Sequence, residues 1–194
     1  GFCFELNGLF VALLRTIGFD AWSCLCRVTQ FDLEYHMPIN HRGCIVKLNN
    51  QLHFCDVGFG GPMPAGALPI EEAVEHTIKG ETYKTMDCGD GWWEMWRKAK
   101  ASNIDTVESV YKRVIRFSVS YTDPIDFVAI NNYMARDESE FRTGYMVNYK
   151  REDGYYAISG RTLHINTTSE DFKRELETEE DAKEALKKYF GISI

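Results

Sequence analysis

The sequence predicts an α+β fold on three observations. An amphipathic helical pattern opens the chain, alternating strand-like segments separated by turn residues fill its middle, and a hairpin followed by a helical stripe closes it. At 194 residues it has room for one large domain or two small ones and can bury most of its surface on folding. Hydrophobic residues make up 44% and charged residues 26%, the balance of a globular chain rather than a disordered one. A net charge of −7 offers no basic field to a nucleic-acid backbone or an anionic membrane, so neither is an expected partner. The apolar run from Leu9 to Leu14 is far short of the roughly 20 residues that cross a bilayer. No basic stretch followed by an apolar one marks a secretory leader, and a cytoplasmic location is the expectation.

From Glu5 to Ile17 the apolar residues Leu6, Leu9, Phe10, Leu13, Leu14 and Ile17 recur at intervals that draw a stripe along a helix. Gly18 supplies the left-handed residue that ends it. Between Asp20 and Gln30 the pattern alternates, with Trp22, Cys24, Cys26 and Val28 on one face of a strand. Arg42 to Leu48 and Leu52 to Val57 flank Asn49-Asn50, a pair that tolerates the backbone of a tight hairpin turn. A glycine-rich loop follows, Gly58-Phe59-Gly60-Gly61-Pro62. Further strands are predicted at Thr82 to Met86, Trp92 to Lys98 and Arg113 to Tyr121, then a connecting helix over Ile125 to Ala135. Asp153-Gly154 turns a hairpin between Gly144 to Tyr149 and Tyr155 to Ser159. A last helix is capped by Thr178, striped by Ala182, Leu186, Tyr189 and Phe190, and stopped at Gly191. The acidic run Glu175 to Asp181 reads as its solvated start, and the Trp92, Trp93 and Trp96 cluster as core or rim packing.

The six cysteines, Cys3, Cys24, Cys26, Cys44, Cys55 and Cys88, contain no C-x-x-C pair, so no metal is expected. Any one of them, taken alone, reads as a buried inert thiol in a reducing compartment.

Cys3 has a second reading. A nucleophilic cysteine requires its anion stabilised, and a helix N-terminus such as the one predicted near Glu5 does this. It also requires a base, for which His36, His41, His53, His76 and His164 are the candidates. If Asn49-Asn50 is a two-residue turn, positions summing to 99 face each other, Gly43 against Asp56 and His41 against Gly58. His41 and Asp56 are then diagonal neighbours on one face, about 7–8 Å apart at the backbone. His53 pairs with Val46 on the other face. A carboxylate beside an imidazole fixes its tautomer, which is the orienting role in a nucleophile–base–acid triad. Chemistry alone leaves His41 open as a loop histidine and Asp56 as a strand-end carboxylate satisfied by backbone amides.

The opening Gly1-Phe2-Cys3-Phe4-Glu5-Leu6-Asn7-Gly8 resembles the active-site segment of the arylamine N-acetyltransferases, with its Gly-Gly-x-Cys-x-Glu-x-Asn context. A second block, Asp56-Val57-Gly58-Phe59-Gly60-Gly61, is similar to the family's Asp-Val-Gly-Phe-Gly motif. Cys3, His41 and Asp56 follow in the family's order and spacing, and a weaker resemblance continues past Asn131, Asn132, Tyr133 and Phe141 to the final hairpin. It implies that Cys3 takes acetyl from acetyl-coenzyme A as a thioester and passes it to an arylamine, arylhydrazine or N-hydroxyarylamine. His41 would be the base and Asp56 the orienter. Phe59 and Gly60 match acceptor-contacting positions, Val28 or Thr29 would line the same pocket, and the amides of Gly58 to Gly61 would offer a small anion-binding concavity to the cofactor's phosphates.

The implied architecture is cysteine-protease-like: the end of an N-terminal helical bundle over 1–19, a β-barrel over 20–122, a connecting helix over 123–140 and an α/β lid over 141–194. The family carries several dozen residues and an arginine ahead of the cysteine, so an upstream portion is expected, as part of the same chain or as an associated fragment. The competing readings are an amide synthase on the same scaffold, a papain- or transglutaminase-like cysteine hydrolase, and a truncated relative without chemistry.

Overall fold

The computed structural model describes residues 1–29, 38–98, 111–139, 141 and 144–194. They form two compact units, Gly1–Asn131 and Asn132–Ile194.

The first unit pairs one long helix with a strongly curved sheet. Helix α1 spans Cys3–Thr16. Eight strands follow: β1 (Asp20–Val28), β2 (His41–Leu48), β3 (Gln51–Cys55), β4 (Leu68–Pro69), β5 (Glu75–Ile78), β6 (Glu81–Asp87), β7 (Trp92–Lys98) and β8 (Tyr111–Ser118). They lie in the order β4-β3-β2-β1-β8-β7-β6-β5, every pair antiparallel. The segment after β4 closes on β6. There Thr85 Oγ1 accepts from the Glu71 amide at 3.0 Å and donates to its carbonyl at 2.8 Å, and the Ala73 amide reaches the Thr85 carbonyl at 2.8 Å. The sheet is thereby a nearly closed barrel.

The barrel interior is filled by Cys24, Cys26, Ile45, Phe54, Leu68, Tyr83, Met95, Ile115 and Phe117. A smaller core of Val11, Ala21, Cys44, Val46 and Cys55 lies between α1 and the outer face of β1–β3. Because strand side chains alternate, neighbouring residues of β2 serve different cores. Ile45 faces the barrel, whereas Cys44 and Val46 face the helix.

Asn49 and Asn50 both adopt left-handed backbone, φ 49° and 66°, and β2 pairs with β3 in the register that a two-residue turn dictates, from Leu48 opposite Gln51 to Cys44 opposite Cys55. Gly18 (φ 95°) ends α1 as expected. The helical stripe differs from expectation. The buried face carries Phe4, Asn7 and Val11, with Phe10 and Leu14 beside it, while Leu6, Leu9, Leu13 and Ile17 are exposed. A buried asparagine interrupts the apolar period that reveals a core-facing side. Short β4 and β5 carried no recognisable alternation, and Val57 lies beyond the end of β3.

The second unit holds a four-stranded antiparallel sheet. Its strands are β9 (Tyr145–Lys150), β10 (Gly154–Gly160), β11 (Thr162–Thr167) and β12 (Asp171–Glu175), in the order β12-β11-β10-β9. The β9–β10 hairpin is the predicted one, whereas the sequence pattern does not predict β11 and β12. A short helix, Glu179–Ala185, packs Ala182 and Ala185 with Leu186 against Ile158, Leu163, Ile165 and Leu176. Thr178 caps it as expected, accepting from the Asp181 amide at 3.1 Å. The acidic run is divided, however: Glu175 ends β12 and Leu176 is buried, so only Glu179–Asp181 form the helix's first turn. The predicted connecting helix is a 3-10 turn, Pro124–Phe127, leading into Val128–Met134.

Candidate active site

Cys3 does not precede the helix; it opens it. Phe2 is the N-cap residue, and the Glu5 carboxylate reaches back to accept the Phe2 amide at 2.5 Å. That is half of a capping box, and it starts the helix two residues earlier than the apolar pattern suggested. Asn131 Nδ2 holds the other Glu5 oxygen at 2.9 Å. Glu5 is held below the ordinary carboxylate range because the Phe2 amide and Asn131 bonds outweigh a partial burial that acts the other way. Cys3 therefore sits in the first turn, at the N-terminal end of the helix, as a partly exposed free thiol.

His41, the first residue of β2, faces the barrel side, and Asp56 follows the last residue of β3 on the same side. Their side chains meet: His41 Nε2 and Asp56 Oδ2 are 2.5 Å apart, and both are sealed from solvent. Burial alone would push the imidazole down. The Asp56 charge and hydrogen bond, with a hydrogen bond to Cys3, outweigh it and raise His41 to about 10. Burial likewise acts to raise Asp56, and the His41 charge reverses this, so the carboxyl stays below its ordinary value. With Nε2 given to Asp56, Nδ1 is the nitrogen left for the thiol.

Asp56 is surrounded by donors. Its Oδ1 accepts from Asn7 Nδ2 at 3.1 Å, the Gly58 amide at 2.8 Å and the Phe59 amide at 2.9 Å. Backbone amides thus satisfy one Asp56 oxygen while the other contacts His41. The same bonds correct one expectation: the Gly58 and Phe59 amides serve Asp56 rather than standing open to phosphate. Gly60 and Gly61 have φ of 71° and 37°, and the Gly60 carbonyl accepts from Met63. Phe59 sets its ring edge-on to His41 at 5.5 Å.

Gly58 is a glycine because of Cys3. A β-carbon there would lie 2.6 Å from the Cys3 Cα and 2.9 Å from Asn7 Nδ2. Val28 ends β1, whose Cys26 pairs with His41, and its amide donates to Oδ1 of Asn40, the neighbour of His41, at 2.8 Å. The Thr29 amide is taken by the Val114 carbonyl at 3.1 Å, and its hydroxyl is buried without a partner among the described residues. The other histidines lie elsewhere. His53 contacts the Gln51 carbonyl, His76 pairs with Glu71, and His164 sits in the second unit between Tyr155 and Asp171. His36 lies outside the described residues. No cluster of three potential metal ligands occurs among the described residues.

Two buried polar side chains tie α1 to β2: Asn7, which the motif contains but the apolar pattern gives no role, and Arg42, which nothing in the sequence marks. Asn7, fully buried, donates to the Arg42 carbonyl at 2.6 Å and accepts the Val57 amide at 2.9 Å. Arg42 sends Nε and Nη2 to Ser23 Oγ, at 2.9 and 2.7 Å, and Nη1 to the Phe4 carbonyl at 3.0 Å. Burial holds its guanidinium below the ordinary arginine value. Cys24, Cys26, Cys44 and Cys55 are buried as expected, but Cys88 is exposed. Burial raises the Cys55 thiol to about 12 and pushes Cys26 and Cys44 up as well.

The N-acetyltransferase family model matches residues 1–194, the whole chain. The chain belongs to the arylamine N-acetyltransferase family. An arylamine N-acetyltransferase of Escherichia coli is 38% identical over 93 residues, covering 47% of this chain and 33% of that protein. The chain thus matches about a third of the length of this curated relative. Two solved family members share the fold. The Salmonella typhimurium enzyme superposes with a TM-score of 0.85 at 23% identity, over 99% of this chain and 68% of its own. The Mycobacterium marinum enzyme in complex with CoA gives 0.81 at 23% identity, over 99% and 69%.

Proposed function

We propose that this chain carries the acyl-transfer machinery of an acetyl-coenzyme A-dependent arylamine N-acetyltransferase. The observation that carries this reading is the sealed His41–Asp56 pair, 2.5 Å apart, with Cys3 in the first turn of α1 packed against Gly58 of the loop that follows Asp56. The names of the chain's relatives support an arylamine acceptor, and the CoA complex of the M. marinum relative supports a coenzyme A donor.

With His41 raised to about 10, the proton of the Cys3–His41 pair rests on the imidazole at neutral pH, and the Cys3 sulfur attacks the acetyl carbonyl. The new carbon–sulfur bond forms as the bond to coenzyme A breaks, and the departing thiolate takes the proton back from His41. An aromatic amine then attacks the thioester, loses a proton to His41 and leaves as the amide, while the Cys3 sulfur regains that proton. Asp56 keeps one ring nitrogen occupied, so the proton shuttles through the other. Phe59, edge-on to His41, offers an apolar face on which a flat amine packs, and we assign Gly60, Val28 and Thr29 to the same acceptor pocket. Six free cysteines accord with a reducing, cytoplasmic setting.

Steady-state kinetics test the reading. Varying acetyl-coenzyme A at several concentrations of an arylamine gives parallel double-reciprocal lines if the acetyl group passes through the enzyme. Converging lines mean direct transfer and contradict it.

A further inference from the structure

Helix α1 and strand β2 grip each other in both directions. Asn7 on the helix donates to the backbone carbonyl of Arg42, and the Arg42 side chain donates back to the carbonyl of Phe4. Each contact lies one residue from a reacting group, since Arg42 follows His41 and Phe4 follows Cys3. Ser23 fixes the far side of the guanidinium, whose carbon lies 4.7 Å from the centre of the Phe127 ring. Gly8 leaves the notch the guanidinium occupies: a β-carbon there would stand 2.6 Å from Nη1. Asn7 extends the grip to the second half of the hairpin through Asp56 and the Val57 amide.

Apolar packing between α1 and the sheet is non-directional and resists a slide along the helix axis only weakly. Proton transfer between a sulfur and an imidazole tolerates displacements of about half an ångström. Directional hydrogen bonds from side chains sealed in the interface can hold the helix to that tolerance. We propose that Asn7 and Arg42 are positioning residues that set the separation between the Cys3 sulfur and the His41 imidazole. Arg42 acts through the first turn of α1, and Asn7 through the Arg42 carbonyl and Asp56. The proposal rests on Cys3 being the nucleophile of the transfer described above.

The discriminating variant is Gly8→Ala. A mid-helix alanine favours the helix, so a grip without catalytic consequence leaves the reaction untouched or the fold firmer. If the guanidinium matters, the added methyl displaces it and slows the chemistry. On the full chain, two rates are followed at Cys3 by peptide mass: alkylation by iodoacetamide, which needs no donor, and acetylation by acetyl-coenzyme A. Gly8→Ala is expected to keep the wild-type circular dichroism and lower both rates by about tenfold, with the KM for the amine unchanged. Added to Arg42→Ala, or to Arg42→Lys should the alanine variant not fold, it is expected to cause no further loss. A folded Gly8→Ala protein with wild-type rates overturns the proposal, as does an equal loss in the Arg42 background. If Gly8→Ala does not fold, Arg42→Lys decides alone, and wild-type rates in it overturn the proposal. If the parent is alkylated but never acetylated while the alkylation pattern holds, the acetyl-transfer reading fails and the positioning role stands.

Discussion

Gly58 and Cys3 pack backbone against backbone, so closely that a β-carbon on Gly58 would lie 2.6 Å from the Cys3 Cα. The hairpin that ends in Asp56 can thus bring its following loop over the first turn of α1. Since Gly58 has no left-handed backbone to accommodate, contact alone demands the glycine.

Gly58→Ala is therefore expected to push the loop away from Cys3. Overpacking of this kind costs about 1–3 kcal/mol, and the Gly58 and Phe59 amides move away from Asp56 with the loop. A urea titration together with the acetylation rate of Cys3 checks this. Both fall, whereas a loop free to shift leaves the rate unchanged.

The His41–Asp56 pair predicts a pH dependence of stability with a definite sign. His41 binds its proton more tightly folded than unfolded, so its contribution is whole below the ordinary histidine value and is lost as pH rises toward about 10. Asp56 is held below its ordinary value, so its contribution is whole above that value and is lost in acid. The pair stabilises most between the two ordinary values, in weakly acidic solution. Urea midpoints across pH 5 to 10 should fall with rising pH in the parent and fall less in His41→Gln. Identical slopes would contradict the assignment.

Asp56→Asn keeps the shape and removes the charge. The imidazole then loses the partner that outweighs its burial, and acetylation of Cys3 should slow by roughly 10²–10⁴-fold. Asp56→Ala is the harsher change. It strands a buried imidazole and the Gly58 and Phe59 amides without that acceptor, leaves Asn7 Nδ2 with the Arg42 carbonyl alone, and should cost about 3–5 kcal/mol.

In the second unit, Thr178→Ala removes the cap of the short helix and should lower that unit's stability by about 1 kcal/mol, read as earlier loss of amide protection in β9–β12 by hydrogen exchange. Unchanged protection there would mean that the helix is held by Ala182, Ala185 and Leu186 alone.

The elements legible in the sequence are those whose signal is local. Asn49-Asn50 specified a two-residue turn, and the turn specified the register that brings His41 to Asp56. Thr178 and Gly191 bounded the last helix in the same way. What stayed hidden depends on partners distant in sequence. Asn7 occupies a core-facing helix position as a polar residue, its partners 35 to 50 residues away. The apolar stripe of Leu6, Leu9, Leu13 and Ile17 therefore marks an exposed face of α1. Arg42 reads as an ordinary strand arginine until Gly8, Ser23 and Phe4 are seen around it. The short strands β4 and β5, and the wholly exposed β12, present no alternation for a period-two search to find.

The most direct test is the intact mass of the chain after incubation with acetyl-coenzyme A and no amine, beside the Cys3→Ser variant. A single added acetyl group on the parent, absent from the variant and discharged when an arylamine is supplied, is the predicted result. A folded parent that gains no acetyl group, or a Cys3→Ser variant that gains one equally, would contradict the account.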